Sequence, residues 1–136
     1  MPEARFAKAL RTELAYDAAR LGRRKLGSIF FGGGTASLMA PESVAALIAD
    51  ATTLFEPLPN LEITLEANPT SVEAGRLAAF RQAGVNRVSL GIQALDDAAL
   101  RFLGREHSAT QAFAALEIAR KLFPRLPFCL LFTSPR

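Results

Sequence analysis

Two short stretches of the chain, LEITLE at 61–66 and RVSLGIQ at 87–93, alternate apolar and polar residues at every step, and a helical pattern lies between them. A period of two marks a strand and a period of 3.6 marks a helix, so the hydrophobic phase has to switch twice over this span. Leu61, Ile63 and Leu65 share one face of the first strand, with Glu62, Thr64 and Glu66 on the other. In the second, Val88, Leu90 and Ile92 oppose Ser89, Gly91 and Gln93. Strand, helix and strand in this order form the unit from which parallel sheets are built, with a right-handed crossover.

The alternation extends to the rest of the chain. Phe6, Leu10, Leu14, Ala18 and Leu21 recur at helical spacing over residues 5–22, and Gly22 stops that helix. The run SIFF, entered through GRRKLG and ended by three glycines, predicts a strand. Pro41 and Glu42 suit the first turn of a helix through about Phe55, with Val44, Leu47, Ile48 and Leu54 as its buried side; Pro57 and Pro59 break it. Thr70 and Glu73 form a capping box for a helix over Val72, Leu77 and Phe80 that Gly84 closes. Asp96 caps a short helix, and Ser108 with Gln111 caps a longer one through Ala115, Ile118 and Leu122. The apolar run PFCLLF predicts a last strand. The order implies an α/β fold of about four parallel strands with flanking helices, either doubly wound or wrapped toward a barrel. No repeat or linker divides residues 1–136, so a single domain is expected.

Composition removes several function classes. No apolar stretch approaches the ~18 residues of a membrane span. The N-terminal residues mix acids and bases without an apolar core, so no secretory signal is expected. The single cysteine, Cys129, excludes an internal disulfide and a CxxC metal site, which makes the reducing cytoplasm the default compartment. The net charge of +3 is unevenly spread: from Leu26 to Gly75 there is no Lys or Arg, while Glu42, Asp50, Glu56, Glu62, Glu66 and Glu73 all fall there. The flanking bases are not interleaved with aromatics, so complementary helix surfaces are expected rather than a nucleic-acid footprint.

Candidate site residues come from the phase of the strands. With the apolar phase facing the helices, Thr64, Glu66, Ser89, Gly91 and Gln93 face the concave side of a curved sheet. Glu66 and Gln93 then end successive strands beside the glycines that end the preceding one, at the edge where α/β folds bind ligands. Taken one at a time, each has an ordinary structural explanation. Three glycines can form a tight turn, Glu66 and Gln93 can serve solvent or loop backbone, Arg105 can be a surface residue, and His107 can belong to a turn. The glycine run matches neither the P-loop nor the GxGxxG spacing. A carboxylate, an amide, close backbone and an arginine together suit a ligand with hydroxyls and a carboxylate or phosphate. No nucleophile with an adjacent base is visible, and no catalytic residue is assigned.

The stretches FFGGGTASLM, LEITLEANPTS, AGVNRVSLGIQALDD and LGREHSA resemble, in order and spacing, the core of the radical S-adenosylmethionine (SAM) family. The branch is that of the heme chaperone HemW and the oxygen-independent coproporphyrinogen III oxidase, and the asparagine of LEANP and the LGREHS stretch are closer to the chaperone. The resemblance implies a partial (β/α) barrel of radical SAM type that binds SAM and a [4Fe-4S] cluster. Gly33, Gly34 and Thr35 match the glycine loop whose backbone approaches SAM. Glu66 matches the acid and Gln93 the amide that bind SAM around its ribose, and Arg105 matches the arginine that pairs with its carboxylate. Two positions depart from the pattern: Ala36 stands for a proline, and Cys129 for an aspartate of the site.

The resemblance further implies that the CxxxCxxC cluster motif lies ahead of the first helix, so this chain is expected not to ligate the cluster and to be inactive alone. A single incomplete core domain is expected, without the first strand and the C-terminal part, and with open sheet edges through which it can self-associate. In the full-length family the partners are heme or a porphyrin, and the activity is heme binding and transfer or radical chemistry on a porphyrinogen. A non-catalytic remnant or scaffold without a ligand is the alternative of another class.

Overall fold

The structure, a computed structural model, describes residues 3–33, 35–126 and 128–130, with the side chains of all these except 71–73 and 128. Helices and strands alternate through it: α1 (Glu3–Leu21), β1 (Lys25–Phe31), α2 (Pro41–Leu54), β2 (Glu56–Ala67), α3 (Ser71–Gln82), β3 (Arg87–Gln93), α4 (Asp97–Phe102), α5 (Ala109–Leu122) and β4 (Phe128–Leu130), with a short 3-10 turn at Ala36–Leu38. The strands pair in parallel in the order β1-β2-β3-β4. When every crossover advances by one strand with the same hand, all the helices fall on one face and the sheet curves away from them. The result is a half-barrel with its helices outside.

The core lies between sheet and helices, in the phase expected from the sequence. Ile63, Leu65, Val88, Leu90 and Ile92 are buried against Val44, Ile48, Leu77 and Phe80. Full burial of an aliphatic or aromatic side chain contributes about 1.5–3 kcal/mol, so this layer dominates the stability of the fold. On α5 the buried stripe is Ala112, Ala115 and Ala119. Small side chains let the helix sit close to α3 and the sheet, and the helix turns so that Ile118, expected to be inside, is 40% exposed. On α2, Ala51 takes the buried place expected of Leu54, which is only half-buried.

α1 departs further from expectation. Only Ala7 and Ala18 are buried, and Phe6 and Leu21 are exposed. α1 packs against α2 beside the edge strand β1, so Phe6, Leu10 and Leu14 line an open apolar groove instead of a closed core. Arg11 holds the two helices together, donating to Asp50 at 2.5 and 3.0 Å. This contact joins complementary helix surfaces, as the charge pattern implied, whereas the other pairs, of Glu62 with Arg87 and Arg125, lie on the strands and the connection to β4.

β2 begins at Glu56 and takes in Pro57 and Pro59, which the sequence pattern assigned to the break after α2. Proline suits extended backbone but cannot donate to the ladder, and the register accordingly jumps from Leu26 opposite Pro57 to Ser28 opposite Glu62. Thr64, expected on the open concave face, is 1% exposed because Arg87 of β3 reaches across and donates to its hydroxyl at 3.2 Å and to Glu62 at 3.2 Å. The Ser108–Gln111 capping box and the Asp96 cap form as expected. The Thr70–Glu73 box depends on side chains outside those described, and of the last apolar run the structure describes Phe128–Leu130.

Candidate functional site

β1, β2 and β3 end side by side, and the segments that leave these three ends build one cleft. After β1 the chain turns through Gly32 and Gly33, the latter at φ +93°, a conformation that favours glycine. A Cβ on Gly32 would lie 2.6 Å from the Phe30 ring and 3.1 Å from Glu66 Oε2, so the glycine lets the Glu66 carboxylate come close to the loop. Beyond Thr35, the turn at Ala36–Leu38 is braced from behind. The Arg76 guanidinium donates to the Ser37 and Met39 carbonyls, both at 2.7 Å, and lies over the Phe80 ring. Sequence reasoning gave Arg76 no role. An arginine that stacks on a core ring while satisfying two loop carbonyls has no signature beyond its place in a helix.

At the end of β3 the backbone of Gln93 takes φ +70°, rare for a residue with a side chain. Its Oε1 is buried and has no hydrogen-bond partner among the described residues. A buried acceptor left unpaired costs about 1–3 kcal/mol, which marks the position as one where a ligand donor would be stabilising. Gly91 makes room for this side chain: a Cβ there would stand 3.3 Å from Gln93 Nε2 and 3.7 Å from Asn68 Oδ1.

Arg105 arrives from the connection between α4 and α5, just after Gly104 at φ +67°. His107 anchors that connection. It is 5% exposed, and its Nε2 lies 3.0 Å from the Ile92 carbonyl, an acceptor, so Nε2 carries the proton. His107 thus binds the connection to the end of β3, the structural place in a turn that the sequence allowed.

The cleft so formed has a volume of about 220 Å³. Gly33, Thr35, Glu66, Gln93 and Arg105 all line it; Gly34 lies outside the described residues. Cys129, which stands where the resemblance places an aspartate of the site, lines it too, and so does Asn68, which sequence reasoning did not name a ligand contact. The signal of Asn68 was faint, since it lies past the last alternating residue of its strand. Chemically the cleft offers a carboxylate and an amide oxygen to accept from hydroxyls or amines, an arginine to pair with an anion, and backbone that a ligand can approach. Among the described residues no group of three or more His, Cys, Asp or Glu side chains could hold a metal ion, and no helix is long and apolar enough to cross a membrane.

Three likenesses bear on this geometry. "Radical S-adenosyl methionine domain-containing protein 1, mitochondrial" of Bos taurus is 51% identical over 121 residues, covering 85% of this chain and 27% of that protein. Heme chaperone HemW of Haemophilus influenzae is 42% identical over 124 residues, 88% of this chain and 32% of that one. The solved structure of coproporphyrinogen III oxidase from Escherichia coli, described as a radical SAM enzyme, superposes with a TM-score of 0.83 at 26% identity, over 98% of this chain and 31% of that one. The chain thus spans between about a quarter and a third of the length of these relatives. The family model of the radical SAM superfamily matches residues 3–133, the whole run of strands that builds the cleft, and the chain belongs to that superfamily.

Proposed function

We propose that the cleft is a SAM site, and that the chain is the SAM-binding part of a protein that handles heme, as a HemW-like chaperone. The observation that carries the reading is the convergence of Gly33, Thr35, Glu66, Gln93 and Arg105 on one cleft at the ends of parallel strands. The residues fit the cofactor: the Gln93 amide oxygen lacks a partner, and the Gly33 backbone, at positive φ with open space around it, lines the same cleft. In this reading Glu66 and Gln93 accept from the ribose hydroxyls, Arg105 pairs with the carboxylate, and the loop at Gly33, Gly34 and Thr35 approaches through its backbone. Bound together with the family's cluster, SAM supplies one-electron chemistry, and the part of this chain is to bind and orient it. The described residues do not fit the cluster itself, because they contain no set of thiolates to hold it.

The likeness in structure to coproporphyrinogen III oxidase favours a second reading, in which the whole protein acts on a porphyrinogen in porphyrin biosynthesis. The cleft serves both readings equally. A reducing compartment, the cytoplasm by default, suits a chain with one cysteine. Calorimetric titration with S-adenosylhomocysteine tests the site. Saturable heat that disappears in Glu66→Ala, with the urea midpoint unchanged, is the expected result; no heat from the unsubstituted chain would overturn the reading in favour of a scaffold without a ligand.

A further inference from the structure

We infer that Arg76 is a positioning residue for the cleft: its guanidinium fixes the turn that carries Thr35 relative to the strand end that carries Glu66, and so raises ligand affinity without touching the ligand. The inference rests on the SAM reading and adds to it a residue outside the cleft lining. The turn after β1 has little to hold it by itself. Its own backbone bonds run from Leu38 N to the Thr35 carbonyl at 3.0 Å and from Met39 N to the Ala36 carbonyl at 3.1 Å. Thr35, at its N-cap, makes no side-chain capping bond, and Leu38, its one large apolar side chain, is exposed.

Arg76 supplies what the turn lacks. It stands on α3, the helix that follows β2, and its two terminal nitrogens donate to the Ser37 and Met39 carbonyls, each at 2.7 Å. A planar guanidinium presents its donors as a rigid fork, so two bonds to one turn fix its orientation as well as its distance. The ring of Phe80, buried one turn further along α3, has its centre 5.4 Å from the guanidinium carbon and holds the fork in place. Precision matters here, because a Cβ on Gly32 would already lie 3.1 Å from Glu66 Oε2, so the two walls of the cleft approach closely. A turn free to move would have to be ordered by the ligand, and that ordering subtracts from affinity.

Ala36 offers a second way to stiffen the same turn. It opens the 3-10 turn, where a proline loses no hydrogen bond of the turn and its ring fixes φ. Thr35 before it, at φ −143° and ψ 88°, is already outside the α region that a following proline disfavours. The experiment titrates the natural chain, Arg76→Met, Ala36→Pro and the double variant with S-adenosylhomocysteine by calorimetry, each shown folded by far-UV circular dichroism. Arg76→Met should weaken binding by about tenfold in the natural chain and by less than about threefold in Ala36→Pro, because a turn stiffened by its own ring no longer needs the brace. Equal affinity of Arg76→Met and the natural chain overturns the inference. So does a loss of the same size with and without Ala36→Pro, the result that a residue serving only the stability of the fold would give. Where Arg76→Met does not fold, Arg76→Lys takes its place: it keeps the charge and loses the fork, and the same two comparisons decide. Those failures leave the SAM reading standing, whereas no heat from the natural chain overturns that reading and this inference with it.

Discussion

At the level of single residues, what sets the cleft is how closely backbone and side chains approach. Gly91 shows this. Its backbone is not at positive φ, so alanine is sterically allowed there, yet the added methyl would press on Gln93 Nε2 at 3.3 Å and on Asn68 Oδ1 at 3.7 Å. Gly91→Ala is therefore expected to change the urea-unfolding free energy by less than about 1 kcal/mol. The same substitution should weaken S-adenosylhomocysteine binding on the order of tenfold, about 1.4 kcal/mol, because a displaced Gln93 no longer presents its oxygen. Equal affinity would show that Gln93 is not a contact. The strand phase that selected Gly91, Gln93 and Glu66 was legible in the sequence. The bonds that position them, from His107 to Ile92 and from Arg76 to Ser37 and Met39, were not, because each joins residues 15 or more apart through a side chain with many rotamers.

At the level of elements, helix ends are local and helix packing is not. The Ser108 hydroxyl accepts from Gln111 N at 3.1 Å while the Gln111 side chain accepts from Ser108 N at 2.9 Å, a box read directly from two residues three apart. Ser108→Ala should cost about 1 kcal/mol, measured as a lowered urea midpoint, while far-UV circular dichroism at low urea is unchanged. The α1–α2 contact combines packing with an exposed ion pair. Arg11 holds the Asp50 carboxyl below its ordinary value of 3.8, mainly through their hydrogen bond, which outweighs the opposing effect of desolvation. A carboxyl whose folded pKa is depressed adds stability above its unfolded pKa and loses it as pH falls through the folded one. The difference in thermal midpoint between the natural chain and Asp50→Asn should accordingly be constant near neutral pH and vanish on acidification below about pH 4. Since Arg11 is half exposed, the difference is small and shrinks with salt. A difference that persists in acid would mean that packing, not charge, joins the helices.

For the whole molecule the decisive feature is the edge at β1. Its outer side has no strand partner among the described residues, Phe30 beside it is 58% exposed, and the apolar groove of Phe6, Leu10, Leu14, Ile29 and Phe31 adjoins it. An open edge with apolar side chains is a template for pairing. The 136-residue chain by itself is expected to associate at micromolar concentrations in sedimentation velocity, and Phe30→Lys should shift it toward monomer. A monodisperse monomer with a cooperative unfolding transition would count against this.

The sequence by itself determined the order of elements, the buried phase of β2 and β3, the caps of α4 and α5, and the strand ends on which Glu66 and Gln93 stand. All of these are set by residues within four positions of each other, where backbone periodicity decides which face is which. Only the tertiary structure decided that Thr64 is covered by Arg87 and that α5 packs through alanines and leaves Ile118 outside. Those outcomes depend on how far each crossover shifts the next strand and how closely each helix can approach, and neither distance is written in any local pattern.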